Sequence, residues 1–336
     1  MKIKQTNFAS SKKLQRKFLS FLKAQVELLV DREKLALAQN YRSSGRCFER
    51  YLNTLQEKDV PLKKIDVELI SSFQQWLCKN GVCKNTSVFY MRNLHAVYNK
   101  AVRQQLIIDQ QPFSCVQTNI THTDKRAITS DLIRKISILD IPNALVHFGE
   151  NPKRKSYGRI CQEMTFARDI FIFCFCARGL TFVDFAYMKH NNIRQGRIIY
   201  ERRKTGQHIE VEIQPQMQDF IDKYAMKDGP YLFPVLTDTD AFKAYHQYGS
   251  AIRRYNKQLA KLSIILGSGI NLTSYVSRHS WATAAYYAGV PLSHISEAMG
   301  HTSEHTTRIY LKSFESSKID KENKKLLDSI FKTTLF

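Results

Sequence analysis

The segment 272–314 places the strongest local constraints on the fold of this chain. Arg278 opens a predicted helix that Gly289 ends, and a second predicted helix starts at Pro291 and ends at Gly300. Glycine suits both ends because it adopts positive φ without a steric cost. The spacing therefore predicts short helices separated by tight turns, with a further helix after the second turn.

Size and charge restrict the classes of protein that are compatible with the chain. Its 336 residues suffice for about two domains and for a core without disulfides or metal. The 51 Lys and Arg residues exceed the 30 Asp and Glu residues, and the net charge of +21 has the sign that attracts polyphosphate. A hydrophobic fraction of 43% is too high for a disordered basic protein. We expect a folded protein that binds nucleic acid.

Apolar spacing predicts two domains joined by a linker. In the first third of the chain it predicts four helices, near residues 10–29, 34–55, 66–79 and 85–105. Residues 117–129 are polar and lack this spacing, which predicts a linker. We assign residues 1–116 to a helical first domain and 130–336 to a second domain, mainly α with a small antiparallel sheet.

One hairpin is expected in the second domain. Two β-rich runs, Arg197 to Tyr200 and His208 to Ile213, flank a basic turn that contains Lys204. Gly206 is available for the positive φ that such a turn requires.

The second and fourth helices combine basic and aromatic residues in a way that suits a phosphate backbone. The basic residues are Arg42, Arg46, Arg50, Lys84, Arg92, Lys100 and Arg103, and all of them except Arg50 are predicted to bind DNA. The interleaved tyrosines are Tyr41, Tyr51, Tyr90 and Tyr98. A solvated basic face remains the alternative for each of these residues.

Cysteine usage and hydropathy indicate the compartment. Seven cysteines lack a repeated spacing, and Cys174 and Cys176 lie in an apolar run, where free thiols act as small hydrophobes. The N-terminus has no apolar segment of signal-peptide length, and the longest apolar run, 170–177, is too short for a membrane span. We expect a reduced, cytoplasmic protein with no membrane partner.

Three motifs in the second domain occur in a fixed order. They are R-H-S-W-A-T from Arg278, L-S-H-I-S-E-A-M-G-H ending at His301, and T-T-R-I-Y ending at Tyr310. In these motifs and in their separations of 23 and 9 residues, the chain resembles the tyrosine recombinase (phage integrase) family. The resemblance implies a helical core-binding (SAM-like) domain followed by an α+β catalytic domain.

The resemblance also implies a chemistry for these residues. Tyr310 would attack a DNA phosphodiester to form a 3′-phosphotyrosyl intermediate, while Arg278 and His301 hold the scissile phosphate. Arginine suits this role because its planar donors match two phosphate oxygens at once. Lys204, at the family's hairpin lysine, would protonate the leaving 5′ oxygen, since that oxygen needs a general acid. No cofactor or metal ion is expected.

One departure from the family pattern concerns the first catalytic arginine. Thr181 stands at its position, although Asp184 keeps the acidic position of the motif. Two residues are candidates to replace it: Arg178, one helical turn before Thr181, and Arg202, on the strand face of Lys204. A subgroup of bacterial integrases and DNA invertases is similar in having R-G-[LM]-[ST]-F-V-D here, which implies a rearranged site.

A second departure is Tyr275, which replaces the family's histidine three residues before Arg278. Its hydroxyl can donate to a phosphate oxygen but cannot shuttle protons near neutral pH. Packing as an ordinary aromatic residue is the alternative. His279 matches a common family position, and we expect a supporting role for it.

The resemblance predicts site-specific recombination, as integrase or invertase, through a four-way junction. The expected partner is double-stranded DNA with paired recombination sites, bound by a homotetramer that assembles from monomers in solution, with an accessory DNA-bending protein left open. The predicted C-terminal helix 317–334 would pack on its own domain or on a neighbouring protomer. The alternatives are a non-catalytic DNA-binding regulator of the same fold and a type IB topoisomerase-like or resolvase-like strand transferase.

Overall fold

In a computed structural model, the chain divides into two compact units, residues 1–123 and 124–336. The structure describes residues 16–116, 119, 127–311, 323, 324 and 327. The described chain is mainly helical and contains a three-stranded antiparallel sheet, as the sequence predicted.

The first unit is a group of amphipathic helices. They are α1 (Phe18–Asp31), α2 (Leu35–Thr54), α3 (Val67–Lys79) and α4 (Lys84–Arg103), with a 3₁₀ turn at Leu62–Lys64. Asp66 caps α3 by accepting a hydrogen bond from the backbone N–H of Leu69 at 2.8 Å, which satisfies one of the free N–H groups at the helix start. The four helices agree with the predicted ones, except that α1 starts at Phe18 and residues 10–15 lie outside the described chain.

Aromatic side chains form the core of the first unit. The ring of Phe48 meets those of Phe18 and Phe73 edge-on, at centroid distances of 5.6 and 5.0 Å. Tyr41, Tyr51 and Tyr98 are buried in the same core. The expectation that these three tyrosines lie along a phosphate backbone is therefore wrong, because their rings supply packing area inside the unit.

The second unit surrounds a long central helix. Its helices are α5 (Ser130–Ile138), α6 (Ile141–His147), α7 (Tyr157–Cys176), α8 (Phe182–Ala186), α9 (Pro215–Tyr224), α10 (Ala241–Ile265), α11 (Ser274–Tyr287), α12 (Leu292–Ala298) and α13 (Glu304–Leu311). Helix α7 packs against five others: α5, α6, α9, α10 and α11. A cluster of aromatic rings, among them Phe173, Phe185, Phe220 and Phe233, fills the space beside it.

The sheet consists of β1 (Ile193–Arg194), β2 (Arg197–Glu201) and β3 (His208–Glu212). Strand β2 pairs with both neighbours, and Tyr200 lies opposite Ile209 on β3. Alternate residues of β2 and β3 are buried, as expected for a sheet with one face on the core.

Two expectations fall mainly on residues outside the described chain. They are the linker 117–129, of which residues 119 and 127–129 are described, and the C-terminal helix 317–334, of which residues 323, 324 and 327 are described. None of the helices in the described part of the chain has the length and apolar character needed to cross a membrane.

Candidate active site

The hairpin of β2 and β3 is anchored beneath its turn by Asp184. Gly206 in the turn has φ +71°, in agreement with its predicted role. The backbone N–H of Arg203 donates to Oδ1 of Asp184 at 2.9 Å. Through this hydrogen bond Asp184, which is 5% exposed, ties the hairpin to the start of α8.

Thr181 is part of the same anchor. It caps α8, and its hydroxyl donates to Oδ2 of Asp184 at 2.6 Å. Thr181 and Asp184 are both buried, so this hydrogen bond fixes the carboxylate that holds the hairpin. The threonine thus has a local structural use at the position where the family's pattern places an arginine.

Arg278 lies in the interior and is surrounded by acceptors. Helix α11 begins at Ser274, so the expectation that Arg278 opens the helix is wrong by one turn. Its side chain is 2% exposed, and Nη1 donates to the carbonyl oxygen of Gly179 at 2.7 Å. Nη2 donates to the carbonyl oxygen of Met299 and lies 3.2 Å from Nε2 of His301. These contacts hold the guanidinium in one orientation.

Arg202 reaches the same loop from the hairpin. It is 4% exposed, and its Nη1 donates to the carbonyl oxygen of Gly300 at 2.6 Å. Because β2 ends at Glu201, Arg202 does not share a strand face with Lys204, and that part of the prediction is wrong. The turn itself brings Arg202 into the site by closing on the loop that follows α12.

Arg178 is placed differently from the prediction. It lies between α7 and α8 with φ +56°, so it is not one helical turn from Thr181 on a helix face. Its Nη1 donates to the carbonyl oxygen of Glu210 on β3 at 3.4 Å. The side chain is half-buried against the sheet.

His301 has a strongly lowered pKa. Burial lowers the pKa of His301 to about 3, together with the positive charges of Arg278, Arg202 and Lys204. Arginine only donates hydrogen bonds, so Nε2 accepts from Arg278 and the ring proton lies on Nδ1. Nδ1 then donates to Oγ1 of Thr307 at 2.8 Å. At neutral pH the ring is therefore uncharged.

The other predicted site residues occupy the surroundings. Lys204 lies exposed in the hairpin turn, and Tyr310 lies on α13, nine residues after His301. Tyr275 is 44% exposed, so it is not a core aromatic, and its ring centroid lies 6.1 Å from that of the half-buried His279.

The basic residues predicted to bind DNA differ in their surroundings. Arg46, Lys84, Arg92 and Arg103 are exposed on α2 and α4. Arg42 is half-buried and donates to Oε1 of Gln39 at 3.1 Å. Lys100 lies over the ring of Tyr41, 4.9 Å from its centroid, and burial lowers the pKa of Lys100.

Sequence reasoning missed the residues that hold the loop after α12. Thr205 donates to the carbonyl oxygen of Gly300 at 3.3 Å, and Gln207 donates to that of His301 at 3.2 Å. Thr307 is fully buried below the imidazole. Its place in T-T-R-I-Y, three residues before Tyr310, was the available signal, whereas nothing in the sequence pairs the hairpin turn with this loop.

Comparison with known proteins covers both units. The model described as phage integrase SAM-like domain matches residues 17–120, and the model described as phage integrase family matches residues 161–317. Together they cover most of the chain, and the second contains Arg178, Arg202, Arg278, His301 and Tyr310.

Solved structures with the same fold include two DNA-bound integrases. A lambda integrase dimer bound to a COC′ core site is 17% identical, with a TM-score of 0.56, over 88% of this chain and 77% of that chain. The Tn1549 transposon integrase in complex with a circular intermediate DNA is 13% identical, with a TM-score of 0.56, over 91% of this chain and 99% of that chain. At these identities the likeness shows the fold.

A curated relative matches a shorter part of the chain. Tyrosine recombinase XerD of Lacticaseibacillus casei is 28% identical over 100 residues, which are 30% of this chain and 34% of that protein. The match thus spans about a third of the relative's length. With both family models in place and in the expected order, the chain belongs to the tyrosine recombinase family.

Proposed function

We propose that this protein is a site-specific DNA recombinase that cuts and rejoins DNA through a 3′-phosphotyrosyl intermediate and a four-way junction. The observation that carries the proposal is the meeting of Arg278, Arg202 and His301 at one loop. Helix α13, which carries Tyr310, begins three residues after His301. The loop that the two arginines contact therefore leads directly into the helix that carries the predicted nucleophile.

The two buried arginines are suited to stabilise a phosphate in its transition state. A phosphodiester under attack gathers negative charge on its non-bridging oxygens, and preorganised guanidinium donors stabilise that charge. Arg278 supplies one guanidinium, and Arg202 supplies the one that Thr181 cannot. Arg202 is preferred to Arg178 because it lies beside the loop and adds to the positive charge around His301.

Proton transfers follow from the charge states. The Tyr310 oxygen attacks phosphorus, the bond to the 5′ oxygen breaks, and the tyrosine proton passes to an acceptor. Solvent takes this proton, because the single lone pair of His301 Nε2 already accepts from Arg278 and a pKa of about 3 makes the ring a weak base. Lys204, exposed on the hairpin turn, gives a proton to the leaving oxygen. Rejoining runs the same steps in reverse and keeps the bond energy in the phosphotyrosyl linkage.

The first unit is proposed to bind the duplex mainly through phosphate contacts, with the exposed residues Arg46, Lys84, Arg92 and Arg103 as donors. The net charge of +21 supports this role.

Assembly as a homotetramer on paired sites, from monomers in solution, accompanies strand exchange. A cytoplasmic location gives access to DNA. Supercoiled plasmid with one or two sites, with and without added DNA-bending protein, tests for an accessory factor.

A trapping assay tests the proposal. The probe is a nicked duplex selected from genomic fragments that the protein retains, and the variants are wild type, Tyr310→Phe and Tyr245→Phe as a matched control on α10. We expect a denaturation-resistant protein–DNA adduct in wild type and Tyr245→Phe but not in Tyr310→Phe. Binding without an adduct in all three proteins would overturn the proposal in favour of a non-catalytic regulator.

A product assay separates recombination from a topoisomerase-like or resolvase-like activity. Wild type acts on a plasmid that carries two copies of the selected site and on a plasmid that carries one. Recombination predicts rearranged circles from the two-site plasmid only. Relaxation of both plasmids without rearrangement would indicate strand transfer within a single duplex.

A further inference from the structure

Thr307 joins the predicted nucleophile helix to the imidazole of His301. Its Oγ1 lies 2.8 Å from Nδ1 of His301, and its side chain has no exposed surface. Thr307 lies on α13 three residues before Tyr310, about one helical turn away. A polar group buried to this degree is costly unless its hydrogen bonds are made, so the contact with His301 is a specific feature of the fold.

Two hydrogen bonds of the ring, with Arg278 and with Thr307, indicate which nitrogen carries the proton. Arg278 from α11 faces Nε2, and a guanidinium has donors but no acceptor. With both contacts made, Nε2 accepts from Arg278 and Nδ1 carries the proton that Thr307 accepts. Arg202 and Lys204 approach from the hairpin and, with Arg278, disfavour a second proton on the ring.

We propose that Thr307 is a positioning residue that holds His301 in the Nδ1–H tautomer, with Nε2 directed toward Arg278. In the strand-transfer chemistry proposed above, this tautomer lets Nε2 accept from Arg278 and so hold the guanidinium that stabilises the scissile phosphate. Loss of the Thr307 hydroxyl leaves a buried N–H without its acceptor. The ring can then restore a hydrogen bond by turning or by exchanging tautomers. Either change removes the Nε2 lone pair from Arg278.

The hydrogen bond between Thr307 and His301 also links the position of α13 to the proposed phosphate site. Thr307 and Tyr310 move together because they lie on one short helix. Docking of α13 therefore positions the nucleophile and orients the imidazole in a single step. The tautomer rests on contacts within the protein alone, whereas its effect on catalysis rests on the proposed function.

The first test measures the tautomer without DNA. Long-range ¹H–¹⁵N spectra of the full chain report the protonation of each imidazole nitrogen, and His301→Gln assigns the signals. We expect Nδ1–H in wild type, loss of that preference in Thr307→Val, and its retention in Thr307→Ser. Thr306→Val is the matched control, since Thr306 is the exposed neighbour on the same helix. A proton on Nε2 in wild type, or an unchanged tautomer in Thr307→Val, would overturn the proposal.

The second test measures adduct formation on the nicked duplex. Because one preorganised donor to a transition state is worth about 10²–10³-fold in rate, and Thr307 acts on Arg278 only through His301, we expect Thr307→Val to form adduct at least about tenfold more slowly, with DNA binding unchanged. Thr307→Ser and Thr306→Val should match wild type. Thr307→Ala removes the same hydroxyl with less bulk and replaces Thr307→Val if that variant unfolds.

The two readouts distinguish the two proposals. No adduct in wild type contradicts the proposed function, while the tautomer spectra still decide the role of Thr307. An adduct that forms equally fast in wild type and in Thr307→Val supports the recombinase and contradicts the positioning role.

Discussion

Arg202 and Gly300, 98 residues apart in the sequence, are joined by a hydrogen bond of 2.6 Å between Nη1 and the carbonyl oxygen. The bond closes the hairpin turn over the loop that carries His301. Arg278 fixes the preceding residue of that loop by donating to the carbonyl oxygen of Met299. Two arginines from different elements therefore bind consecutive carbonyl oxygens of this loop. The shape of the loop thus determines the distance between the two guanidinium groups.

Gly300 permits this close approach. A methyl group at position 300 would lie 2.8 Å from Cδ1 of Ile209 and 3.1 Å from Cδ of Arg202, and φ at Gly300 is +60°. We expect Gly300→Ala to lower the free energy of unfolding by about 3 kcal/mol, from left-handed strain and overpacking together. It should also reduce adduct formation, because Arg202 must move. Urea unfolding and the trapping assay measure the two effects.

Gly289 provides the matched control for this substitution. It also ends a helix, with φ +83°, but no atom of the residues that the structure describes lies within 4 Å of an added methyl group. Gly289→Ala should lower the free energy of unfolding by about 1 kcal/mol through strain alone and leave adduct formation unchanged. Equal effects of the two substitutions would show that the contact with Arg202 and Ile209 has no consequence.

Arg202 and Arg178 are distinguished by substitution with lysine, which keeps the charge but loses the planar pair of donors. We expect Arg202→Lys to slow adduct formation by about 10²–10³-fold, the cost of one preorganised donor in a transition state. Arg178→Lys should change it by less than about threefold, because Arg178 contacts the backbone of β3. Single-turnover kinetics on the nicked duplex gives both values, and a reversed order would assign the role to Arg178.

Thr181→Arg tests whether the family's arginine can be restored at this position. The substitution removes the hydroxyl that caps α8 and donates to Asp184. We expect the free energy of unfolding to fall by at least about 1 kcal/mol, the usual worth of a cap, and adduct formation not to rise. Thr181→Ser keeps the hydroxyl and should behave as wild type. Faster adduct formation in Thr181→Arg would mean that the position is still part of the phosphate site.

Local sequence signals predicted the elements well where periodicity and turn chemistry decide the structure. The four helices of the first unit and the hairpin follow from apolar spacing and from Gly206. The prediction that the interleaved tyrosines contact a phosphate backbone is wrong for three of them, because the burial of a ring depends on which helix face packs against the core. Tyr41, Tyr51 and Tyr98 lie on that face, while Arg46 does not.

The sequence proposed the residues of the candidate site but not their arrangement. The order of the motifs puts Arg278, His301 and Tyr310 on successive elements, and Nη2 of Arg278 lies 3.2 Å from Nε2 of His301. Whether Arg178 or Arg202 joins them depends on a contact between the hairpin and a loop about 100 residues later, and no local pattern encodes such a contact. The prediction that Arg178 lies one helical turn from Thr181 is wrong because α7 ends at Cys176, before Arg178.

The lowered pKa of His301 gives the protein a pH-dependent stability. The unfolded histidine has a pKa near 6.5 and the folded one about 3. Above about pH 6.5 both are neutral, and as the pH falls toward 3 the unfolded chain binds a proton that the native state does not. Stability should therefore fall below pH 6.5, and less so in His301→Gln.

Urea unfolding at about pH 7 and about pH 4.5 measures this difference for each protein. His305→Gln, an exposed histidine on α13, is the control and should keep the pH dependence of wild type. An identical loss of stability in wild type and His301→Gln would indicate that the ring ionises normally in the native state.

Salt dependence tests the proposed DNA-binding surface of the first unit. Each phosphate contact contributes about −0.9 to the slope of log K against log salt concentration, so loss of one contact makes the slope shallower by about 1. Lys84 is exposed at the start of α4, and we expect Lys84→Ala to weaken binding and to reduce the slope by this amount. Lys23→Ala removes the same charge from a lysine that pairs with Glu49 at 3.4 Å, and its slope should equal that of wild type. Titrations of one selected duplex at several salt concentrations measure both slopes. If the two variants have equal slopes, net charge rather than a phosphate contact at Lys84 governs binding, because both substitutions change the net charge of +21 by one unit.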